Sequence, residues 1–268
     1  MLHVSRVFKE QFKKNEEQHL QNGTNNFSQK NIKPKKILFV SLEMTKNQIF
    51  ERIVLATTHL TNKEIHNLSE TDGPVKEKFI NDIESISEEY DNILINDNDL
   101  TDFFQALARI QYLVQKDNIG LILIDYLQLL TINQKQKETN RQQEITQISK
   151  NIKLFAKKLN IPVILLSQLS RNVERRENKR PIMSDLRESG AIEQDADVIL
   201  FLYRDSYYAN TERNEAVEKQ FIAQKAEDPE KGSDKVEVLI SKNRNGEIGH
   251  CNLKFWGKYS YFWEERGN

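Results

Sequence analysis

Gly120-Leu-Ile-Leu-Ile-Asp-Tyr-Leu-Gln128 is the stretch whose reading decides the fold. Four large apolar residues run unbroken into Asp125, the pattern of a strand buried on both faces rather than on one. A strand of that kind belongs to a parallel sheet covered by helices. In open α/β sheets the ligand crevice lies beyond the carboxyl ends of the strands, which is where Asp125 falls. A carboxylate there serves either as a loop cap or as a holder of nucleotide-bound Mg²⁺.

Two further apolar runs end in polar residues in the same manner. Lys36–Ser41 leads into Leu42-Glu43-Met44, and Pro162-Val-Ile-Leu-Leu-Ser167 leads into Gln168-Leu169. Two carboxylates and an amide would then converge on one edge of one sheet. Residues 184–197 follow, Ser-Asp-Leu-Arg-Glu-Ser-Gly-Ala-Ile-Glu-Gln-Asp-Ala-Asp, a polar segment leading into the apolar run Val198–Tyr203.

The rest of the chain supplies the helices such a sheet needs. Val4, Val7, Phe8 and Phe12 share one helical face over residues 2–14, and residues 21–35 read as a polar loop. Thr45 and Gln48 form a capping box for a helix to about His59. A charged surface helix is expected over 74–90, a short strand over 92–95, and a crossover helix over 101–116 with Phe104, Leu107, Ala108 and Val114 inward. Ile145, Ile148, Ile152, Phe155 and Leu159 mark a helix over 141–159. Alternation of strands with helices of this length implies parallel βαβ units. Residues 207–233 are polar and weakly helical, the character of a surface insertion. Two runs, 235–240 and 250–256, flank Asn-Arg-Asn-Gly-Glu-Ile-Gly and predict a β-hairpin.

Composition narrows the class. The chain has 268 residues, a net charge of −1 and a single cysteine, Cys251. One sizeable α/β core is the expected outcome at this length, with two small domains as the alternative. No global basic field advertises nucleic acid, so any such contact is local. No apolar run approaches the roughly 18 residues of a membrane span, and charged residues interrupt any secretory pattern at the N-terminus. A lone cysteine excludes an intramolecular disulfide and a multi-cysteine metal site, and Cys251 reads as a small packed residue on the hairpin. A cytoplasmic protein is the expectation.

Each candidate site residue has an ordinary reading beside the chemical one. Glu43, before a capped helix, is either a favourable first-turn acid or a base that orients a water for attack on a phosphate. Gln168 is a loop amide, or a donor and acceptor poised at a ligand. The run 171–180, Arg-Asn-Val-Glu-Arg-Arg-Glu-Asn-Lys-Arg, holds five basic residues and is either solvated or directed at phosphates. Arg187, Glu188, Ser189 and Gly190 combine a glycine, which permits close backbone approach, with polar neighbours able to bind phosphate oxygens. Lys242 and Arg244 flank Asn243 at the expected hairpin tip.

This ordered set of motifs closely resembles the motor domain of the DnaB-type replicative DNA helicases, which have a RecA-like ATPase fold. The resemblance spans roughly residues 36–206 and resumes at about 235–256, and 184–197 is its most specific part. It implies a mainly parallel sheet flanked by helices with a C-terminal β-hairpin, ATP and Mg²⁺ as cofactors, and ATP hydrolysis coupled to translocation on single-stranded DNA. It assigns Glu43 as the base for the attacking water, Asp125 to Mg²⁺, and Gln168 to the γ-phosphate and its link to the DNA loops. It assigns Arg187, Glu188, Ser189 and Gly190 to the single strand. Lys242 and Arg244 would reach the ATP of a neighbouring subunit in a hexameric ring, where a cation supplied in trans is worth about 10³–10⁵ in rate.

No Gly-x-x-x-x-Gly-Lys-Ser/Thr occurs in the 268 residues, although a RecA-like fold cradles triphosphate with that loop. The family places it just before the helix that precedes the Ser-Leu-Glu-Met strand. Residues 1–35 are therefore expected to be the remainder of that helix plus a polar loop, and 36–268 the motor domain. The helical N-terminal domain that the family uses for ring geometry and primase contact has no counterpart here. Three readings stand at this point: a helicase motor acting in a homo-hexamer; a non-hydrolysing remnant that binds DNA or joins intact helicase subunits; and a RecA- or RadA-like ATPase, against which Ser-Leu-Glu-Met and Asp-Leu-Arg-Glu-Ser-Gly argue.

Overall fold

The computed structural model describes residues 2–21, 34–70, 72–98, 100–132, 141–186, 190–211 and 233–264. In chain order the elements are α1 Leu2–Gln21, β1 Lys36–Ser41, α2 Lys46–Thr58, α3 Asn62–Glu70, α4 Pro74–Glu89, β2 Ile93–Asn96, α5 Phe103–Lys116 and β3 Ile119–Asp125. They continue with α6 Arg141–Leu159, β4 Val163–Leu165, α7 Asn172–Arg175, α8 Gly190–Asp195, β5 Val198–Tyr203, α9 Asp205–Thr211, β6 Asp234–Asn243, β7 Gly249–Trp256 and β8 Tyr261–Glu264. The chain divides into two compact units, residues 1–49 with 74–168, and residues 50–73 with 169–268.

The first unit is built on a parallel sheet of order β2-β1-β3-β4. Its central pair aligns Ile37 with Leu121 and Phe39 with Leu123, so these four share one face. Val4 and Phe8, one turn apart on α1, pack against that cluster. Gly120 allows the approach: a Cβ there would stand 2.9 Å from the Phe8 ring and 2.7 Å from the Lys35 side chain. Leu38, Val40, Ile122 and Ile124 fill the opposite face and are all buried. Burial on both faces is why the strand reads as continuous apolar sequence rather than as an alternation.

Local rules account for the ends of the helices. The Thr45 amide donates to Gln48 Oε1 at 2.9 Å and the Gln48 amide to Thr45 Oγ1 at 3.3 Å, the reciprocal pair expected at the start of α2. Asp102 caps α5 by accepting from the Gln105 amide at 2.9 Å. The buried face of α5 is not the expected one. Phe103, Ala106, Ile110 and Leu113 are buried, whereas Phe104 is 51% exposed and Ala108 is exposed. Apolar residues occur on two adjacent stripes of this helix, and docking of the Phe103 amide on the Thr131 carbonyl (2.8 Å) sets which stripe turns inward.

The second unit carries an antiparallel sheet of order β5-β6-β7-β8, with β6 and β7 forming the expected hairpin. Ile199 and Phe201 are buried, and Val198, Leu200 and Leu202 alternate with them on an exposed face. His59, at a positive φ of 54° after α2, meets Tyr261 edge-on at 4.8 Å, and Trp256 meets Tyr259 at 4.5 Å. Helix α3 is an element that the apolar pattern does not predict; Thr61 and Glu64 form a second capping box at its start. Cys251 is exposed on β7, contrary to the packed position expected, because the first three residues of that strand, Gly249–Cys251, are exposed on both faces. Of the expected insertion, α9 begins at Asp205, and residues 212–232 lie outside the described residues.

Candidate functional site

The carboxyl ends of β1, β3 and β4 carry the polar residues that the three apolar runs predicted. Ser41 pairs in register with Asp125, and the Leu42 amide donates to the Asp125 carbonyl at 2.9 Å, so the Glu43 turn and Asp125 are adjacent strand ends. Ile124 pairs with Leu165, which brings the chain leaving β4 toward Gln168 alongside. Asp125 is half-buried; Glu43 and Gln168 are exposed. This arrangement puts one carboxylate where a cation can be held, a second where a water can be polarised, and an amide beside both strand ends.

Residues without an assigned role in the sequence shape this edge. Ser41 is buried at 2% exposure; its hydroxyl donates to the Met44 carbonyl at 2.7 Å and accepts from the Met44 amide at 3.0 Å, closing the turn that holds Glu43. Asp97, just beyond β2, accepts from the Lys46 amide at 2.7 Å. Gln128 holds the backbone of Gln168: its Oε1 accepts from the Gln168 amide at 3.1 Å. Its Nε2 donates to Ser167 Oγ at 3.0 Å and to the Gln168 carbonyl at 3.3 Å. Gln128 is tethered in turn, since Arg141 Nη2 donates to its carbonyl at 2.9 Å and Arg141 also pairs with Glu144. Gln128 lies three residues past Asp125 in the quoted stretch, but nothing in one sequence tells which amide 40 residues away it would meet.

The remaining candidates belong to the second unit. Arg187, Glu188 and Ser189 lie outside the described residues; Gly190 opens α8. Lys242 is not at the hairpin tip as expected, but within β6, paired with Ile199, because β6 extends to Asn243. Its Nζ donates to the Glu193 carbonyl. Arg244 does stand at the turn. Its Nη1 donates to Asp197 Oδ1 at 3.2 Å, its Nη2 to the Gln194 carbonyl, and its amide to the Asp197 carbonyl at 2.9 Å. Both cations thus meet carbonyls of the last turn of α8, where positive charge is favoured.

The donor set fits half of what a Mg²⁺–nucleotide needs. Asp125 is a hard oxygen ligand and Glu43 an available base, but a backbone cradle for the β- and γ-phosphates is not encoded in these residues. Among the described residues no group of three His, Cys, Asp or Glu side chains is placed to bind a metal without a phosphate, and no helix is long and apolar enough to cross a membrane.

A helix-flanked parallel sheet with acids at its carboxyl edge, accompanied by a hairpin unit, defines the RecA-like ATPase class. Residues 18–264 match the family model of the DnaB-like helicase C-terminal domain, and the chain belongs to that family. It is 40% identical over 232 residues to a probable replicative DNA helicase of Trieres chinensis, covering 85% of this chain and 46% of that protein. It is 38% identical over 228 residues to the replicative DNA helicase DnaC of Bacillus subtilis, covering 84% of this chain and 45% of that protein. Among solved structures, a DnaB-like replicative helicase, described with its primase interactions, superposes with a TM-score of 0.68 at 32% identity, over 86% of this chain and 52% of that one. A separately solved ATPase domain superposes with a TM-score of 0.69 at 32% identity, over 86% of this chain and 74% of that one. The chain spans about half the length of the curated relatives it matches.

Proposed function

We propose that this chain is the motor portion of a replicative DNA helicase, coupling ATP hydrolysis to movement along single-stranded DNA and to duplex unwinding. The observation that carries the reading is the shared carboxyl edge of β1, β3 and β4, which sets Glu43, Asp125 and Gln168 on adjacent strand ends. Asp125 would hold Mg²⁺ on a bound nucleotide, directly or through water. Glu43 takes the proton of the attacking water, and Gln168 contacts the γ-phosphate side and passes its state to the chain that leaves β4. Held there, Mg²⁺ would supply neutralisation of charge on the phosphoryl oxygens. Arg187, Glu188, Ser189 and Gly190 contact the single strand. Lys242 and Arg244 act on the ATP of a neighbouring subunit in a hexamer, exchanging their α8 carbonyl contacts for phosphate. The setting is cytoplasmic, and primase contact belongs to a domain not encoded in these residues.

A second reading has its own observation in favour. The 268 residues hold no phosphate-cradling motif, and a chain acting without one would be a non-hydrolysing subunit that binds DNA or joins intact helicase subunits. The two separate in one experiment: the chain is joined at its N-terminus to a strand and phosphate-binding loop of the family, and ATPase activity is measured with and without single-stranded DNA. The motor reading expects DNA-stimulated turnover that Glu43→Gln lowers by orders of magnitude while nucleotide binding persists, because an amide cannot take the proton. Turnover unaffected by Glu43→Gln refutes the assigned base, and absence of turnover leaves the second reading.

A further inference from the structure

The basic run 171–180 is not uniformly solvated, and its internal differences carry information. Asp185, only 4% exposed, organises it: Oδ2 accepts from Arg176 Nη2 at 2.6 Å and from the Ile182 amide at 2.8 Å, while its carbonyl accepts from the Ser170 amide at 2.8 Å. Val173, 2% exposed, anchors α7, and Leu169 bridges Leu186 across the base of the loop. Three of the five cations are thereby occupied. Arg176 is on Asp185, Arg180 is on Glu237 at 2.6 Å, and Lys179 lies over the Tyr208 ring at 5.4 Å. Glu174 also lies near Tyr208: together with burial, the larger cause, its charge pushes the phenol up from its ordinary pKa.

Arg171 and Arg175 differ from these three. Both are exposed, and among the described residues neither side chain has a hydrogen bond or ion pair. Arg171 is the N-cap of α7 with φ −62° and ψ −11°, so the two stand one helical turn apart on one face. That spacing is about 5–6 Å between Cβ atoms. Two long guanidinium groups so placed reach successive phosphates of a single strand, and Arg is suited to phosphate by its planar fork of donors. The anchoring around Asp185 lowers the ordering cost of using them.

We infer that Arg171 and Arg175 form a phosphate-binding pair for single-stranded nucleic acid, a contact separate from residues 187–190. The inference rests on the helicase reading, and the test separates the two. A fluorescein-labelled oligothymidine is titrated with the 268-residue chain by anisotropy at several salt concentrations. Each phosphate neutralised on a single strand contributes about 0.7 to the slope of log K against log salt. The double variant Arg171→Ala/Arg175→Ala should therefore lose about 1.4 from that slope. Its deficit relative to the unaltered chain then grows about sevenfold between 200 and 50 mM salt. Arg171→Lys/Arg175→Lys should retain the slope. Arg180→Ala, which removes a cation already paired with Glu237, should leave it unchanged. Because both side chains are exposed, the melting temperature of the double variant should match that of the unaltered chain. An unchanged slope in the double variant, with Arg187→Ala abolishing binding, overturns the pair and leaves the helicase loop reading standing. No binding by the unaltered chain at low salt refutes both.

Discussion

The contact between Gln128 and Gln168 makes the sharpest prediction, because it can be read at one amide in the chain as it stands. Gln128→Leu replaces the carboxamide with an apolar group and removes three hydrogen bonds, two at 3.0–3.1 Å and one longer at 3.3 Å. Bonds of this kind contribute about 0.5–1.5 kcal/mol each, and Gln168 is exposed, so water replaces part of the loss. About 1 kcal/mol is then lost from closure at the Gln168 N–H, which corresponds to roughly fivefold faster hydrogen exchange. The neighbouring Leu166 amide, bonded to the Ile124 carbonyl at 3.0 Å, is the internal reference and should not change. Gln128→Glu retains an acceptor for the Gln168 amide and should keep its protection within about twofold, while losing the donor to Ser167. Amide exchange followed by NMR decides it. Equal exchange rates at Gln168 in the unaltered and Leu chains would refute the idea that Gln128 positions this residue. In a hydrolysing form of the protein, the same variant should lower DNA stimulation of turnover more than basal turnover.

Three further outcomes are expected. The 268-residue chain should show no calorimetric ATP binding in the micromolar range, since the backbone donors and lysine of a phosphate loop are not encoded. If Arg244 acts in trans, Arg244→Ala and Glu43→Gln subunits mixed in a form carrying the phosphate loop should hydrolyse more ATP than either alone, provided hydrolysis does not need every site intact. Activity near the unaltered level for Arg244→Ala, in rings of normal size by light scattering, would remove that assignment. Burial, and donation of its hydroxyl to Asp205 at 2.7 Å, push the Tyr203 phenol up to about 12. A folded value above the unfolded one gives stability that is fully present below about pH 10 and lost as pH rises toward 12. Ultraviolet titration of the folded chain should show a phenol ionising near pH 12 that Tyr203→Phe removes, and removal instead of one ionising near pH 10 would contradict the packing around it.

Much of this protein was determined by the sequence taken alone. The unbroken apolar runs at 37–40 and 121–124 read as strands covered on both faces, and β1 and β3 are the parallel centre of the first unit. The Thr45–Gln48 box and the hairpin are local patterns of capping and turn chemistry, which a linear reading captures. Membership of the DnaB-like helicase family was legible for a similar reason: 184–197 is a contiguous string whose specificity needs no three-dimensional information.

What only the tertiary structure decided concerns pairings between distant residues and the choice between two acceptable faces. On α5 either apolar stripe satisfies the helical period, and docking against Thr131 selected Phe103 over Phe104. Lys242 was read as a tip residue because turn residues mark only the middle of a hairpin. The length of β6 is set by its pairing with β5, which carries the ladder through to Asn243. The same holds for the polar groups. Five basic residues in ten are equivalent in the sequence, and become distinct only when Asp185, Glu237 and the Tyr208 ring, each brought up from elsewhere in the chain, take three of them and leave Arg171 and Arg175 to solvent. Hydrogen bonds and ion pairs are short-ranged and directional, so which partner a side chain meets is a property of the packed chain, whereas periodicity and capping are properties of its local segments.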